Sequence, residues 1–242
     1  MNNNSKTTMK QRNHAFDFLC GLCILRMILL HVMGTCGERN EYWFAKVMAW
    51  SFFFMSFFFF KAGYFNKGLN GKTKPYIEDR VKRLLVPYVA WGIIGSLIYF
   101  GFLFICPDSF HKFHRMLRWD HVWKYSHFWG NPPVWFLFSF FMSYVSVFFM
   151  NKVKYLKWAA VTFPFISYYL WKQHNPLWMG LNNVFIGIFF FYLGRMWRWL
   201  QARVPKYVLV IASVLMIAEF VVGNKLWHGE YDMSTNLFVH RP

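Results

Sequence analysis

Long apolar segments divide this chain at roughly 15–35, 43–65, 85–106, 134–150, 156–172, 178–197 and 207–227. A helix needs about 20 apolar residues to cross the hydrocarbon core of a bilayer. With 57% apolar and 24% aromatic residues and only 15% charged, the chain holds more apolar surface than one water-soluble core can hide. The predicted fold class is therefore all-α, a polytopic transmembrane helix bundle of about seven helices, although the fourth and fifth segments are short for a span. The first run is followed at once by a second and carries no small-residue cleavage site, unlike a signal peptide. No internal repeat or low-complexity linker interrupts the chain, so residues 1–242 read as a single membrane domain. This composition excludes a disordered, collagen-like or disulfide-framed protein.

The 27 Lys+Arg against 10 Asp+Glu give a net charge of +17, a balance usually associated with nucleic acid or anionic membranes. Their placement favours the membrane. With a cytoplasmic N-terminus, the inside pieces 1–14, 66–84, 151–157 and 195–206 carry 16 cations and the outside pieces 8, half of them in one long loop. That asymmetry follows the positive-inside bias. No basic stripe alternates with aromatics on a soluble domain and no groove-reading motif is present, so a nucleic-acid partner is not expected.

Ionisable groups inside apolar helices are costly and usually face a partner or a watered cavity. Here they are Asp17, Arg26, His31, Lys46, Lys61 and Glu219. At about 100° per residue, Cys20 and His31 nearly share a face, about 16 Å apart, whereas Arg26 lies about 140° round from His31. Near the outer end of its helix, His31 has two readings: a neutral imidazole poised to accept a proton from a hydroxyl, or an interfacial residue bonding to a headgroup. Glu219 is expected to pair with Arg26 or Lys61. Cys20 and Cys23 sit in an apolar helix without a second pair and read as packed thiols. The loop histidines His111, His114, His121 and His127 match no zinc spacing, and no metal is expected. Trp119, Trp123, Tyr125, Phe128 and Trp129 either offer faces to sugar rings or form an interfacial aromatic belt.

Several short motifs now fall into order. Asp17-Phe18-Leu19-Cys20-Gly21-Leu22-Cys23-Ile24-Leu25, running on to His31, resembles the opening helix of the acyltransferase 3 family of integral-membrane acyltransferases, roughly D-x-L-R-G-x-A-I-L followed by a histidine. Phe57 to Phe65 resembles that family's FFF-x-SG-[FY] helix. Tyr76-Ile77 with Arg80, Arg83-Leu84-Leu85 and Pro87-Tyr88 resembles its Y-[IL]-x-x-R-x-x-R-L-x-x-P-Y segment. Pro133-Val134-Trp135-Phe136-Leu137 resembles P-[LV]-W-F-L, and Phe189 to Gly194 resembles FF-x-x-G. Each motif alone is weak; five in order across residues 12–200 are a strong signal.

The resemblance implies transfer of an acyl group, acetyl or succinyl, from acetyl-CoA or succinyl-CoA to a hydroxyl of a surface carbohydrate. It implies His31 as the general base and Arg80 and Arg83 as contacts for the phosphates of the acyl-CoA donor. Positive-inside anchoring explains those two arginines equally well. Arg26 and Trp135 are the candidates for substrate binding. The expected setting is a bacterial inner membrane, multi-pass, with the N-terminus cytoplasmic, membrane lipid around the bundle and a possible oligomer. Two departures stand out: Cys20 occupies the place of the family's arginine eleven residues before the histidine, and about seven helices stand against a family core of about ten. An eighth helix would start near Asn236–Pro242, so the domain reads as C-terminally truncated. The alternatives in function are a transporter of a glycan or lipid-linked sugar and an inactive truncated remnant.

Overall fold

A computed structural model describes residues 13–36, 54–66, 71–105, 119–173, 177–201, 203–208, 210, 211, 214, 228–232 and 237–241. The chain divides into two compact units, Met1–Phe54 and Met55–Pro242.

The first unit is built on α1, His14–Cys36, which starts one residue after Asn13, whose side-chain Oδ1 accepts the Phe16 N–H at 3.3 Å. This is the local hydrogen bond that starts many helices. Asp17 in the first turn complements the positive end of the helix dipole. The rest of α1 is apolar nearly all round, with Phe18, Leu22, Leu25, Ile28 and Val32 exposed. In water such a helix would be insoluble; in a bilayer those faces meet lipid.

The second unit holds α2 (Phe54–Phe65) from its second residue onward, Phe54 itself closing the first unit, and α3 (Thr73–Ile105), α4 (Trp119–Tyr125), α5 (Trp135–Lys152), α6 (Phe163–Lys172) and α7 (Asn182–Gln201). Among the described residues four helices are long and apolar enough to cross a membrane: His14–Met33, Thr73–Ile105, Pro132–Lys152 and Trp178–Gln201. The fold is thus an all-α membrane bundle, with one short exception. β1 (His228–Asp232) and β2 (Leu237–Arg241) pair antiparallel, His228 opposite Arg241 and Asp232 opposite Leu237.

Three expectations about the segments are corrected. The third segment does not begin at residue 85. α3 runs unbroken from Thr73 through 33 residues, about 50 Å at 1.5 Å per residue, which exceeds a hydrocarbon core of about 30 Å. Its first turns, bearing Lys74, Arg80, Lys82 and Arg83, therefore extend beyond the apolar slab. Pro87 interrupts the regular ladder because it has no N–H to give and its ring crowds the preceding turn. The helix absorbs this as a π turn over Val81–Leu85, with the Val86 N–H reaching back five residues to the Val81 carbonyl.

The fifth segment, 156–172, is not one helix. A 3-10 turn over Leu156–Val161 precedes α6, which has only 10 residues, about 15 Å and too short to span. Pro164 at the start of α6 suits a first helical turn and cannot continue a preceding one. Finally, residues 237–241 form a strand and not the start of an eighth helix. Most of the seventh segment and residues 43–53 of the second lie outside the described residues.

The core of the second unit gathers Val147 and Phe148 of α5, Phe191 of α7 and Phe59 of α2, all fully buried. Phe59 inserts edge-on against Phe136 and Phe140, with ring centres 5.4 and 5.0 Å apart. α2 and α7 approach backbone to backbone. A Cβ on Gly63 would overlap the Phe191 carbonyl, and a Cβ on Gly194 would overlap the Phe60 carbonyl. Gly187, two turns before Gly194, leaves room for Phe59 and Ser143.

Candidate functional site

The charged ends of four helices meet at one pole of the second unit. Lys152 Nζ at the end of α5 donates to Thr73 Oγ1 at the start of α3, at 2.6 Å. Arg195 Nη1 of α7 donates to Asn151 Oδ1 of α5 at 3.1 Å. The Tyr64 hydroxyl near the end of α2 donates to Gln201 Oε1 of α7 at 2.9 Å, and Arg198 Nη1 donates to the Tyr64 carbonyl at 3.4 Å. Cations at the C-terminal ends of α5 and α7 complement their dipoles.

At this pole a cavity of about 450 Å³ opens between α2, α3 and α5. Phe58, Phe65, Phe140 and Tyr144 supply aromatic wall, and Lys61, Asn66 and Arg80 supply polar groups. The Arg80 guanidinium lies 4.4 Å from the centre of the Tyr144 ring and 5.2 Å from that of Tyr76. Such cation–π contacts hold the planar group in a fixed orientation. Tyr76 is itself fixed, stacked on Phe148 at 4.5 Å and accepting a hydrogen bond from Asn66 Nδ2 at 3.1 Å.

The two sequence-predicted arginines divide at this point. Arg80 lines the cavity, its side chain 23% exposed, with Nη1 3.7 Å from Asp79 Oδ2. Its Nε is buried and has no hydrogen-bond partner. Arg83 is 72% exposed and its Nε donates to Asp79 Oδ1 at 2.6 Å. The π turn, which carries Lys82 and Arg83, lies between Arg80 and the apolar part of α3.

Among the other predicted residues, His31 is exposed on α1. Arg26, half-buried on the same helix, places its guanidinium 3.8 Å over the ring of Phe54. Neither Cys20, half-buried, nor Cys23, buried, is in a disulfide. Trp135 is buried at the start of α5, edge-on to Phe136 and 6.4 Å from the His127 ring, and is not part of the cavity wall. Lys46, Glu219, Cys106, His111, His114 and the side chains of Cys36 and His121 lie outside the described residues. Among the described residues no three His, Cys, Asp or Glu side chains gather as a metal site.

The opposite end of α3 is shaped by a tight turn. Gly92 and Gly95 let Phe128 and Asn131 approach the helix, Asn131 Nδ2 donates to the Trp91 carbonyl at 3.2 Å, and Gly130 takes the left-handed conformation that a side chain disfavours. Ser126 and Met179 also have positive φ, and Ser126 Oγ donates to the Met179 carbonyl at 2.6 Å. This contact ties α4 to the start of α7, with Trp123 and Trp178 stacked and both exposed.

Sequence reasoning singled out Lys61 and Arg80 separately but did not join them, and it missed Tyr144 and Asn66. The signal for Tyr144 was faint: one hydroxyl-bearing ring four residues after Phe140, hence on the same helical face. No curated protein and no solved structure matches the chain. The model of the acyltransferase 3 family, described as an acyltransferase domain, matches residues 13–239. That range runs from α1 to β2 and takes in His31, both arginines and the paired glycines of α2 and α7, and on this match the chain belongs to the acyltransferase 3 family.

Proposed function

We propose that this membrane acyltransferase transfers an acetyl or succinyl group from acyl-CoA to a hydroxyl of a surface carbohydrate, in a bacterial inner membrane with the N-terminus cytoplasmic. The observation that carries the donor half is the aromatic-walled cavity at the cationic pole, with the oriented guanidinium of Arg80 in its wall. Guanidinium groups suit phosphate through several donors in one plane. Arg83, exposed beside it and paired with Asp79, contributes positive potential at the mouth of the donor site. The concentration of cations at the start of α3 and the ends of α5 and α7 supports a cytoplasmic pole.

In this reading an imidazole nitrogen of His31 takes the proton of the acceptor hydroxyl as its oxygen attacks the thioester carbonyl. The C–S bond then breaks, the ester remains on the carbohydrate, and CoA leaves as the thiol after regaining a proton. Arg26 and Trp135 remain candidates on the acceptor side.

The test is release of free CoA thiol by purified protein. Acetyl-CoA or succinyl-CoA with the carbohydrate acceptor is expected to release CoA in step with ester formation. Movement of intact glycan across vesicles without CoA release would replace the enzyme by a transporter. Arg80→Lys keeps the charge but loses the planar fork, and is expected to raise KM for acyl-CoA about tenfold with a smaller effect on kcat. Steady-state kinetics would decide it; an unchanged KM in both Arg80→Lys and Arg80→Gln removes Arg80 from the donor site.

A further inference from the structure

The apolar part of α3, Val86–Ile105, has 20 residues, and its Val86, Leu97, Ile98, Phe104 and Ile105 side chains are all more than half exposed. Twenty residues of helix rise about 30 Å, the thickness of a hydrocarbon core. The tight turn before α5 packs near the middle of this stretch. Asn131 Nδ2 donates to the Trp91 carbonyl at 3.2 Å, and Ser96 Oγ donates to the Trp129 carbonyl at 3.3 Å. Gly95, against which Asn131 rests, lies about 15 Å of helix short of Ile105. The end of α4 is set deeper still, for the Tyr88 hydroxyl donates to the Ser126 carbonyl at 3.5 Å.

Irregular backbone at hydrocarbon depth persists only where protein buries it or water reaches it. Gly130 in the turn and Lys124 on α4 are exposed, and a lysine exposed to lipid at that depth is costly. The same surface carries two indole rings. Trp123 and Trp178 stack with centres 6.2 Å apart, each more than half exposed. The 2.6 Å hydrogen bond from Ser126 to Met179, both of positive φ, fixes the two segments that bear them. Non-glycine residues adopt that conformation at a cost, and such residues cluster at functional sites. Open indole faces suit the C–H faces of sugar rings.

We infer that α4 and the turn at 126–131 form the floor of a water-filled recess, entered from the side opposite the cationic pole, in which Trp123 and Trp178 seat a ring of the carbohydrate acceptor. The choice of occupant rests on the acyl-transfer reading above.

Full-length protein in lipid nanodiscs is treated with a charged methanethiosulfonate. Lys124→Cys and Asn131→Cys on the floor are compared with Leu97→Cys and Phe104→Cys on the lipid face, above the background of the four native cysteines. Thiolate, which forms in water and not in hydrocarbon, is the reacting species, so the floor positions are expected to react about tenfold faster or more. Either floor position serves if the other variant does not fold. Floor positions that react no faster than Leu97→Cys and Phe104→Cys overturn the recess.

In the CoA-release assay, Trp123→Ala and Trp178→Ala are expected to raise KM for the carbohydrate about tenfold and leave KM for acyl-CoA unchanged, while Trp178→Phe, which keeps a ring face, stays near wild type. An unchanged KM for the carbohydrate in both alanine variants overturns the seat. Phospholipids brominated on their acyl chains that quench the fluorescence of wild type more than that of both alanine variants assign the rings to lipid and also overturn it. Wild type that releases no CoA overturns the acyl-transfer reading, while the labelling, which needs no substrate, still decides the recess.

Discussion

His31→Ala is expected to lower acyl transfer by about 10²–10⁴, the usual contribution of a positioned general base, while leaving the amount of folded protein in the membrane unchanged. The second half of that expectation comes from the structure. His31 is exposed on α1 and its truncation opens no core cavity. Loss of activity in a variant that remains monodisperse would therefore report chemistry and not collapse of the bundle. Acceptor-dependent ester formation, followed by mass increase of the glycan, is the measurement. A rate equal to wild type would remove His31 from the reaction and leave it as an interfacial residue.

The other large effect is expected from the crossing of α2 and α7. Gly194→Val places a side chain into the Phe60 carbonyl, and Gly63→Val places one into the Phe191 carbonyl. The obstructing atoms are backbone, so no rotamer change relieves the overlap. The helices must separate, withdrawing Phe59 and Phe191 from the core. The expected cost is about 3 kcal/mol or more, at or above the upper end of ordinary overpacking. Size-exclusion profiles and thermal unfolding in detergent should show loss of monodisperse protein or a large drop in Tm. Gly101→Ala in α3 provides the contrast, because nothing lies within 4 Å of its added Cβ. That variant is expected to behave as wild type. Equal stability of Gly194→Val and Gly101→Ala would refute the close crossing.

These glycines show why some motifs could be recognised before they could be understood. Phe57 to Phe65 and Phe189 to Gly194 stand far apart in the chain, and each offers only phenylalanines around a glycine. Their meaning is mutual: the glycine of each helix accommodates the backbone of the other. The five Phe, Lys and Ala positions from 58 to 62 likewise divide their work among neighbours. Phe59 enters the core between Phe136 and Phe140, while Phe58 and Lys61 line the cavity. Residues three apart on a helix share a face, but the neighbour on that face is chosen by packing.

Secondary structure was legible where apolar length alone decides it, as for α1, α5 and α7. It was misread where a local rule was outweighed. The cations of residues 72–83 suggested a loop, yet the backbone hydrogen bonds of a helix continue through charged residues, and α3 does so by extending past the slab. The run 156–172 was apolar enough for a span, but Pro164 restarts the helix and divides it.

By itself, then, the sequence determined that this is a helical membrane protein of the acyltransferase 3 family, with its cations gathered between apolar runs. Those conclusions depend on hydrophobicity, helical rise and local motifs, which are properties of neighbouring residues. The tertiary structure decided that Lys61, Arg80 and Tyr144 share one cavity, that Arg83 beside them is taken by Asp79, and that Gly63 and Gly194 face across a helix pair. Such pairings depend on crossing angle and side-chain fit between helices distant in the chain, for which hydrophobic periodicity carries no signal.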